Sequence, residues 1–173
     1  RDLARIADAA TGLLREAGVR AADLGSVGVC APGPLDPATG HVRRPPNLPG
    51  WEDVALVDRL GAALGAPVFL ENDANAAALA EARFGAGRGA RDVVYLTMST
   101  GVGAGIVLDG RVHRGLAWSA GELGHAPVEL DGEPCVCGLR GCLEAYVGGA
   151  AWTARLRAIA PPAPEDVVFG QYA

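Results

Sequence analysis

His125, Cys135, Cys137 and Cys142 place one imidazole and three thiols inside a single stretch, ELGHAPVELDGEPCVCGLRGC (122–142), of a chain with only 3 histidines and 4 cysteines. Together they make a closed tetrahedral ligand set for zinc, and Gly138 and Gly141 let a short loop fold back so that three sulfurs reach one ion. Protein then fills every ligand position, so no place is left for a reactive water and such an ion is structural. A disulfide between Cys142 and one of the other two, or reduced and unbound thiols, are the alternatives. No charged-then-apolar leader opens the sequence, so a cytoplasmic, reducing compartment is expected, where a disulfide is disfavoured and would leave His125 unexplained. The fourth cysteine, Cys30, lies in the apolar run SVGVCA and reads as a buried thiol.

Carboxylates stand around this motif. Glu122 and Glu144 flank it, and a metal knot would hold both at one cleft; otherwise they are ordinary surface or capping acids. Asp73, in LENDANAAALAE, follows an apolar strand and opens a helix. Local sequence suits an N-cap, whereas a carboxylate at a strand-to-helix corner also suits a general base at the rim of a sheet, where α/β proteins bind ligands. In TMSTGVGAGI, Gly101, Gly103 and Gly105 form a tight hairpin whose backbone N–H groups can face an anion. Such a hairpin is often merely a turn. It has no lysine, which excludes a Walker loop, and a strand rather than a helix follows, which excludes a dinucleotide fingerprint.

These groups need elements to carry them. Leu3, Ile6, Ala10, Leu13 and Leu14 recur at helical spacing over 2–17, with Gly18 as the stop. A strand follows at 26–31, then PGPLDPATG, read as loop from its prolines and glycines. A helix fits 52–64, a strand 67–72, and an alanine-rich helix begins at Asp73. From residue 92, DVVYLTM and GAGIVL are strands joined at STG, and LDGR turns into a third strand near 111–113. A last helix is predicted over 142–158. The composition shift at FGAGRGARD predicts a boundary that divides 1–90 from 91–173. With 50% hydrophobic residues in a chain of 173, a substantial core is expected. Its apolar runs are too short to span a bilayer, and its 15 basic residues, all arginine, are scattered among 20 acids without a basic stripe for nucleic acid.

PNLPGW (46–51), ENDANAAALAE (71–81), STGVGAGI (99–106), AGELGH (120–125) and CVCGLRGCLEAY (135–146) occur here in the order found in the ROK family, which includes bacterial sugar kinases and related transcriptional repressors. The sequence resembles that family from about residue 26 to residue 150. The resemblance implies an α/β fold of the actin and hexokinase type (ribonuclease H-like), two-lobed, with ATP and sugar in the cleft. It makes this chain a central fragment: 1–90 as the later part of lobe one, 91–173 as the early part of lobe two. By motif, Asp73 is implied as general base toward a sugar hydroxyl, and Asn72, Glu122, His125 and Glu144 as hydroxyl-binding residues. His125 would also ligate zinc. Gly33 and Asn47 match looser parts of the motif set as further sugar contacts, while Thr100, Gly101 and Gly103 fall in a phosphate loop. The implied activity is glucokinase-like phosphorylation of a hexose or N-acetylhexosamine by ATP with Mg²⁺, in a cytoplasmic protein that commonly dimerises. A sugar-sensing repressor with an upstream DNA-binding domain is the alternative.

Overall fold

The computed structural model describes residues 2–45 and 48–159. Two compact units emerge, Arg1–Ala76 with Gly115–Ser119, and Ala77–Arg114 with Ala120–Ala173.

In the first unit, helix α1 (Asp2–Glu16) ends at Gly18, whose φ of 67° is the left-handed conformation that closes many helices. Strands β1 (Val27–Ala31) and β5 (Val68–Asn72) pair in parallel, with Val27 opposite Val68 and Ala31 opposite Asn72. Between them lie helix α2 (Leu56–Leu64) and a small antiparallel sheet of β2 (Leu35–Asp36), β3 (His41–Val42) and β4 (Val54–Ala55). Ala7, Ala31, Leu35, Val42, Leu56, Leu60, Val68 and Leu70 share one buried core.

The strands at 27–31 and 68–72 and the extent of the first helix agree with the periodicity; other details do not. Residues 32–40 are not all loop, because Leu35 and Asp36 pair with Val42 and His41. The Asp36 carboxylate accepts the N–H groups of Ala38 (3.0 Å) and Thr39 (3.3 Å), so Asp-Pro-Ala-Thr-Gly folds as a hairpin turn. Hydrogen bonding from Thr39 holds that carboxyl below its ordinary range. The second helix starts at Leu56 rather than 52, since β4 claims the residues before it. On α1, Ala7 is the buried position while Ile6 and Leu13 remain exposed.

Cys30 is also exposed, contrary to expectation. Alternation along β1 sends Val27, Val29 and Ala31 toward the core and leaves Gly28 and Cys30 on the other face, beside Phe69 on β5.

The second unit carries a three-stranded antiparallel sheet of β6 (Val93–Met98), β7 (Val102–Leu108) and β8 (Arg111–Val112). Asp109 and Gly110 join β7 to β8 with φ of 52° and 71°, the paired positive values a two-residue hairpin demands. Helix α3 (Asp73–Phe84) starts in the first unit and ends in the second. The predicted last helix is two, α4 (Leu143–Val147) and α5 (Gly149–Ile159), because Gly148 is extended at ψ 145°. No helix among the described residues is long and apolar enough to cross a membrane.

Candidate functional site

The glycine hairpin connects β6 to β7. Ser99 N–H donates to the Gly101 carbonyl at 2.9 Å, and Gly103 is a ladder residue opposite Thr97. The N–H groups of Thr100 and Gly101 have no hydrogen-bond partner among the described residues. Two adjacent donors of this kind at a glycine corner are groups that can face an anion. The carbonyls of the same corner are occupied: Ser99 O accepts from Gly149 N–H at 2.7 Å and Thr100 O from Ala150 N–H at 3.2 Å, at the start of α5. On the other side, Val102 N–H donates to Glu144 Oε2 at 2.8 Å across 42 residues of sequence.

Glu122 and His125 are carried by a turn, with a short 3-10 helix at Leu123–His125, that rests on β7. The Ala104 N–H donates to the Gly121 carbonyl at 2.9 Å. A Cβ on Gly121 would overlap the Ala104 carbonyl oxygen, and one on Gly124 that of Val102, so only glycine lets this backbone lie directly on the strand. Both glycines belong to the GELGH motif, but nothing local in it says which strand they approach.

The histidine and the three cysteines come together as expected. Their ligand atoms all lie within 4.8 Å of one another. A tetrahedral zinc with bonds of about 2.3 Å to sulfur puts sulfurs roughly 3.8 Å apart. Cys137 Sγ and Cys142 Sγ are 3.7 Å apart, and Cys135 Sγ is 3.6 Å from His125 Nδ1. All cysteines are free thiols, and 3.7 Å is far beyond the roughly 2.05 Å of a disulfide. Burial, reinforced by hydrogen bonds from Cys137 and Cys135, pushes the Cys142 thiol up to about 12, whereas a backbone hydrogen bond at Leu139 lowers Cys137. A fully buried sulfur in that company is a poor free thiolate and a good ligand, so the donor set fits a soft divalent cation held through Nδ1 and three sulfurs.

The loop is tied down from several directions. Val128 N–H donates to Gly141 O at 2.7 Å and Leu143 N–H to Ala126 O at 3.0 Å. The Tyr146 hydroxyl donates to Glu129 Oε2 at 2.5 Å and accepts from Glu133 N–H at 2.9 Å. Gly141 sits at φ 71°, and a Cβ there would overlap the Glu129 carbonyl; Gly138, at φ 89°, faces open space. Gly138→Ala should therefore cost only the left-handed backbone penalty of about 1–2 kcal/mol. Gly141→Ala must also displace the loop and is expected to cost about 3 kcal/mol or more. Urea unfolding with metal analysis of both variants checks this; equal losses would show that the overlap is relieved without moving the ligands.

In the first unit, the corner from β5 into α3 holds Asn72 and Asp73. Asn72 Oδ1 accepts Ala74 N–H at 3.0 Å and Asn75 N–H at 3.1 Å, so Asn72 supplies the helix cap. Asp73 is exposed as the first helical residue, with Oδ1 2.9 Å from Ala74 N. The cap assignment weighed for Asp73 thus passes to its neighbour. With Oδ1 committed to the backbone, Asn72 Nδ2 is the group left for a ligand, and it lies 3.7 Å from where a Gly33 Cβ would stand. Glu71 Oε1 accepts from Asn72 N–H (3.0 Å) and Asn75 Nδ2 (3.1 Å). Asn75 is 3% exposed, and its Oδ1 has no partner among the described residues. Neither Glu71 nor Asn75 follows from the motif pattern; Asn75, a polar residue inside an alanine-rich helix, carries a signal, whereas Glu71 on β5 has none. Asn47 lies outside the described residues.

The sequence profile of the ROK family matches residues 4–168. A glucokinase of Thermotoga maritima is 49% identical over 125 residues, covering 72% of this chain and 39% of that protein. The xylose repressor of Bacillus subtilis is 36% identical over 125 residues, covering 72% of this chain and 32% of its own length. Among solved structures, the ROK hexokinase from Thermus thermophilus superposes with a TM-score of 0.79 at 48% identity, covering 91% of this chain and 51% of that one. The chain thus spans between about a third and a half of the length of these relatives.

Proposed function

The chain belongs to the ROK family, whose α/β fold of the actin and hexokinase type it carries in part, and from this we propose that it forms the sugar-binding centre of an ATP-dependent hexose kinase. The proposed lobe boundary lies near residue 90, in the glycine-rich FGAGRGARD segment, whereas the compact units of the fold divide earlier, between Ala76 and Ala77. Asp73 acts as general base: it takes the proton of the sugar hydroxyl as that oxygen forms a bond to the γ-phosphorus of Mg-ATP and the bond to the β-phosphate oxygen breaks, releasing ADP. Exposure at the helix start and a cap supplied by Asn72 leave the Asp73 carboxylate accessible for this work. Asn72, through Nδ2, and Gly33 contact the sugar, with Asn47 as a further contact. Glu122, His125 and Glu144 bind hydroxyls, and His125 does so through Nε2 while Nδ1 faces the sulfurs. His125, Cys135, Cys137 and Cys142 would hold a structural zinc, which would fix these residues in place. Thr100 and Gly101 receive phosphate oxygens, with Gly103 shaping the hairpin behind them.

The observation that favours a kinase over a repressor is the glycine corner with unsatisfied N–H groups at Thr100 and Gly101, a feature that sugar sensing does not require. A hexose, or an N-acetylhexosamine, is the proposed acceptor, with glucose the first candidate from the name of the Thermotoga relative. The protein is proposed to be cytoplasmic and homodimeric, with no nucleic acid bound through this segment. The similarity to a xylose repressor supports a second reading, a sugar-responsive regulator whose DNA-binding domain lies upstream.

Incubating the full-length protein with Mg-ATP and a panel of hexoses and N-acetylhexosamines, with ADP release as the readout, separates the two. Turnover on one sugar is the expected result and names the substrate. Sugar binding by calorimetry without turnover on any member would favour the regulator.

A further inference from the structure

We propose that Glu144 is a positioning residue for the phosphate loop as well as a sugar contact, so that one side chain links the two substrates. This rests on the kinase reading above. Sugar recognition alone would leave both carboxylate oxygens facing the ligand, yet Oε2 is spent on the Val102 N–H at 2.8 Å. A Cβ on Gly101 would stand 2.5 Å from Oε2, so a larger residue there would have to push the Glu144 carboxylate away from its place on the Val102 N–H. The loop is thereby held on two sides by one stretch of chain. The Glu144 side chain takes the N–H of residue 102, and the first N–H groups of α5, from Gly149 and Ala150, take the carbonyls of residues 99 and 100. Gly148 and Gly149 permit this approach: a Cβ on Gly148 would come within 2.8 Å of Glu144 O, and one on Gly149 within 2.6 Å of Ser99 O.

The consequence is directional. With the carbonyls and the Val102 N–H engaged, the N–H groups of Thr100 and Gly101 are the donors the corner retains for an anion. A carboxylate close to a phosphate site also repels it, so two effects oppose. The Val102 N–H neutralises part of the charge on Oε2, and an ordered pair of donors is the larger gain, because an unheld glycine corner must lose its conformational freedom on binding. Sugar that engages the second oxygen would fix the Glu144 side chain further and tighten nucleotide binding, and by reciprocity nucleotide would tighten sugar binding equally.

The test compares Glu144→Ala with Glu144→Gln in the full-length protein. Gln keeps an oxygen for the Val102 N–H and removes the charge; Ala removes both. Without sugar, Glu144→Ala is expected to weaken binding of Mg-bound, non-hydrolysable ATP analogue by about 10- to 100-fold, while Glu144→Gln stays within about threefold of wild type. Hydrogen exchange at the Val102 amide should accelerate at least about tenfold in the Ala variant alone. Unchanged or tighter nucleotide binding in Glu144→Ala, with only sugar affinity lost, overturns the proposal and leaves the kinase reading standing. Absence of nucleotide binding in wild type would instead defeat the kinase reading, and the Val102 exchange rates would then decide the positioning role alone.

Discussion

Replacing Asp73 with asparagine is expected to lower the rate of sugar phosphorylation by about 10²–10⁴-fold with little change in stability. The two side chains are isosteric, Asp73 is exposed, and the helix it begins is capped by Asn72, so the fold does not depend on the Asp73 charge. Loss of a negative charge from the first turn of α3 should cost no more than about 0.3–1 kcal/mol. Phosphoryl transfer makes few demands on covalent chemistry, and alignment and electrostatic stabilisation would survive the substitution; proton removal from the attacking hydroxyl would not. The loss should therefore appear in kcat, with sugar KM changed little if the carboxylate acts on the transition state. Steady-state kinetics alongside a thermal melt decide the matter. Near-normal kcat in a folded Asp73→Asn protein would remove Asp73 from the chemistry and leave it a helix-start residue.

Cys142→Ala, or treatment with a chelator that would remove the proposed zinc, should have the second largest effect. Cys142 is fully buried, it precedes α4 directly, and it forms a bridge with Pro127 that joins the two arms of the loop. Removing this ligand leaves three donors around a site that needs four. Structural zinc contributes about 10–16 kcal/mol of apparent binding free energy in small zinc-finger peptides, and even a fraction of that lost here would unfix the loop. The expected result is a fall from one zinc per chain to almost none, a drop in sugar affinity of about 100-fold or more, and a melt at lower temperature. Cys30→Ala is the control: its exposed side chain in the other unit should leave zinc content unchanged and stability within about 0.5 kcal/mol. Burial holds the Cys142 thiol up to about 12 when no cation is bound, so an incoming ion must displace its proton and affinity should rise as pH rises toward that value. Full zinc retention and unchanged sugar affinity in Cys142→Ala would show that the cluster is not a metal site.

The cluster of His125, Cys135, Cys137 and Cys142, which could hold a metal, was legible in sequence because its signals are local. Ligand type and spacing name a tetrahedral site without reference to the rest of the chain, and the glycines at 138 and 141 mark where it must bend. Periodicity likewise placed α1, the β5-to-α3 corner that presents Asn72 and Asp73, and the β6–β7–β8 meander with its Asp-Gly turn. What a two-residue strand does is another matter. Leu35–Asp36 has no periodicity to read, and it is a strand only because His41 and Val42 come alongside. Cys30 sits in an apolar run, but only the pairing of β1 with β5 decides which face is covered.

The same limit applies to the site. Thr100 and Gly101 could be named as a glycine turn, yet the engagement of the neighbouring carbonyls and of the Val102 N–H comes from Gly149, Ala150 and Glu144, more than 40 residues away. The break at Gly148, inside what helical pattern alone makes one helix, has the same origin, since the chain must turn there to meet Ser99 and Thr100. Sequence by itself thus determined the chemical inventory, the family and the local elements, all governed by short-range sterics and residue type. Tertiary structure decided which donors stay free and which glycines cannot change. Those properties depend on how closely two distant backbones approach, and no local propensity encodes that distance.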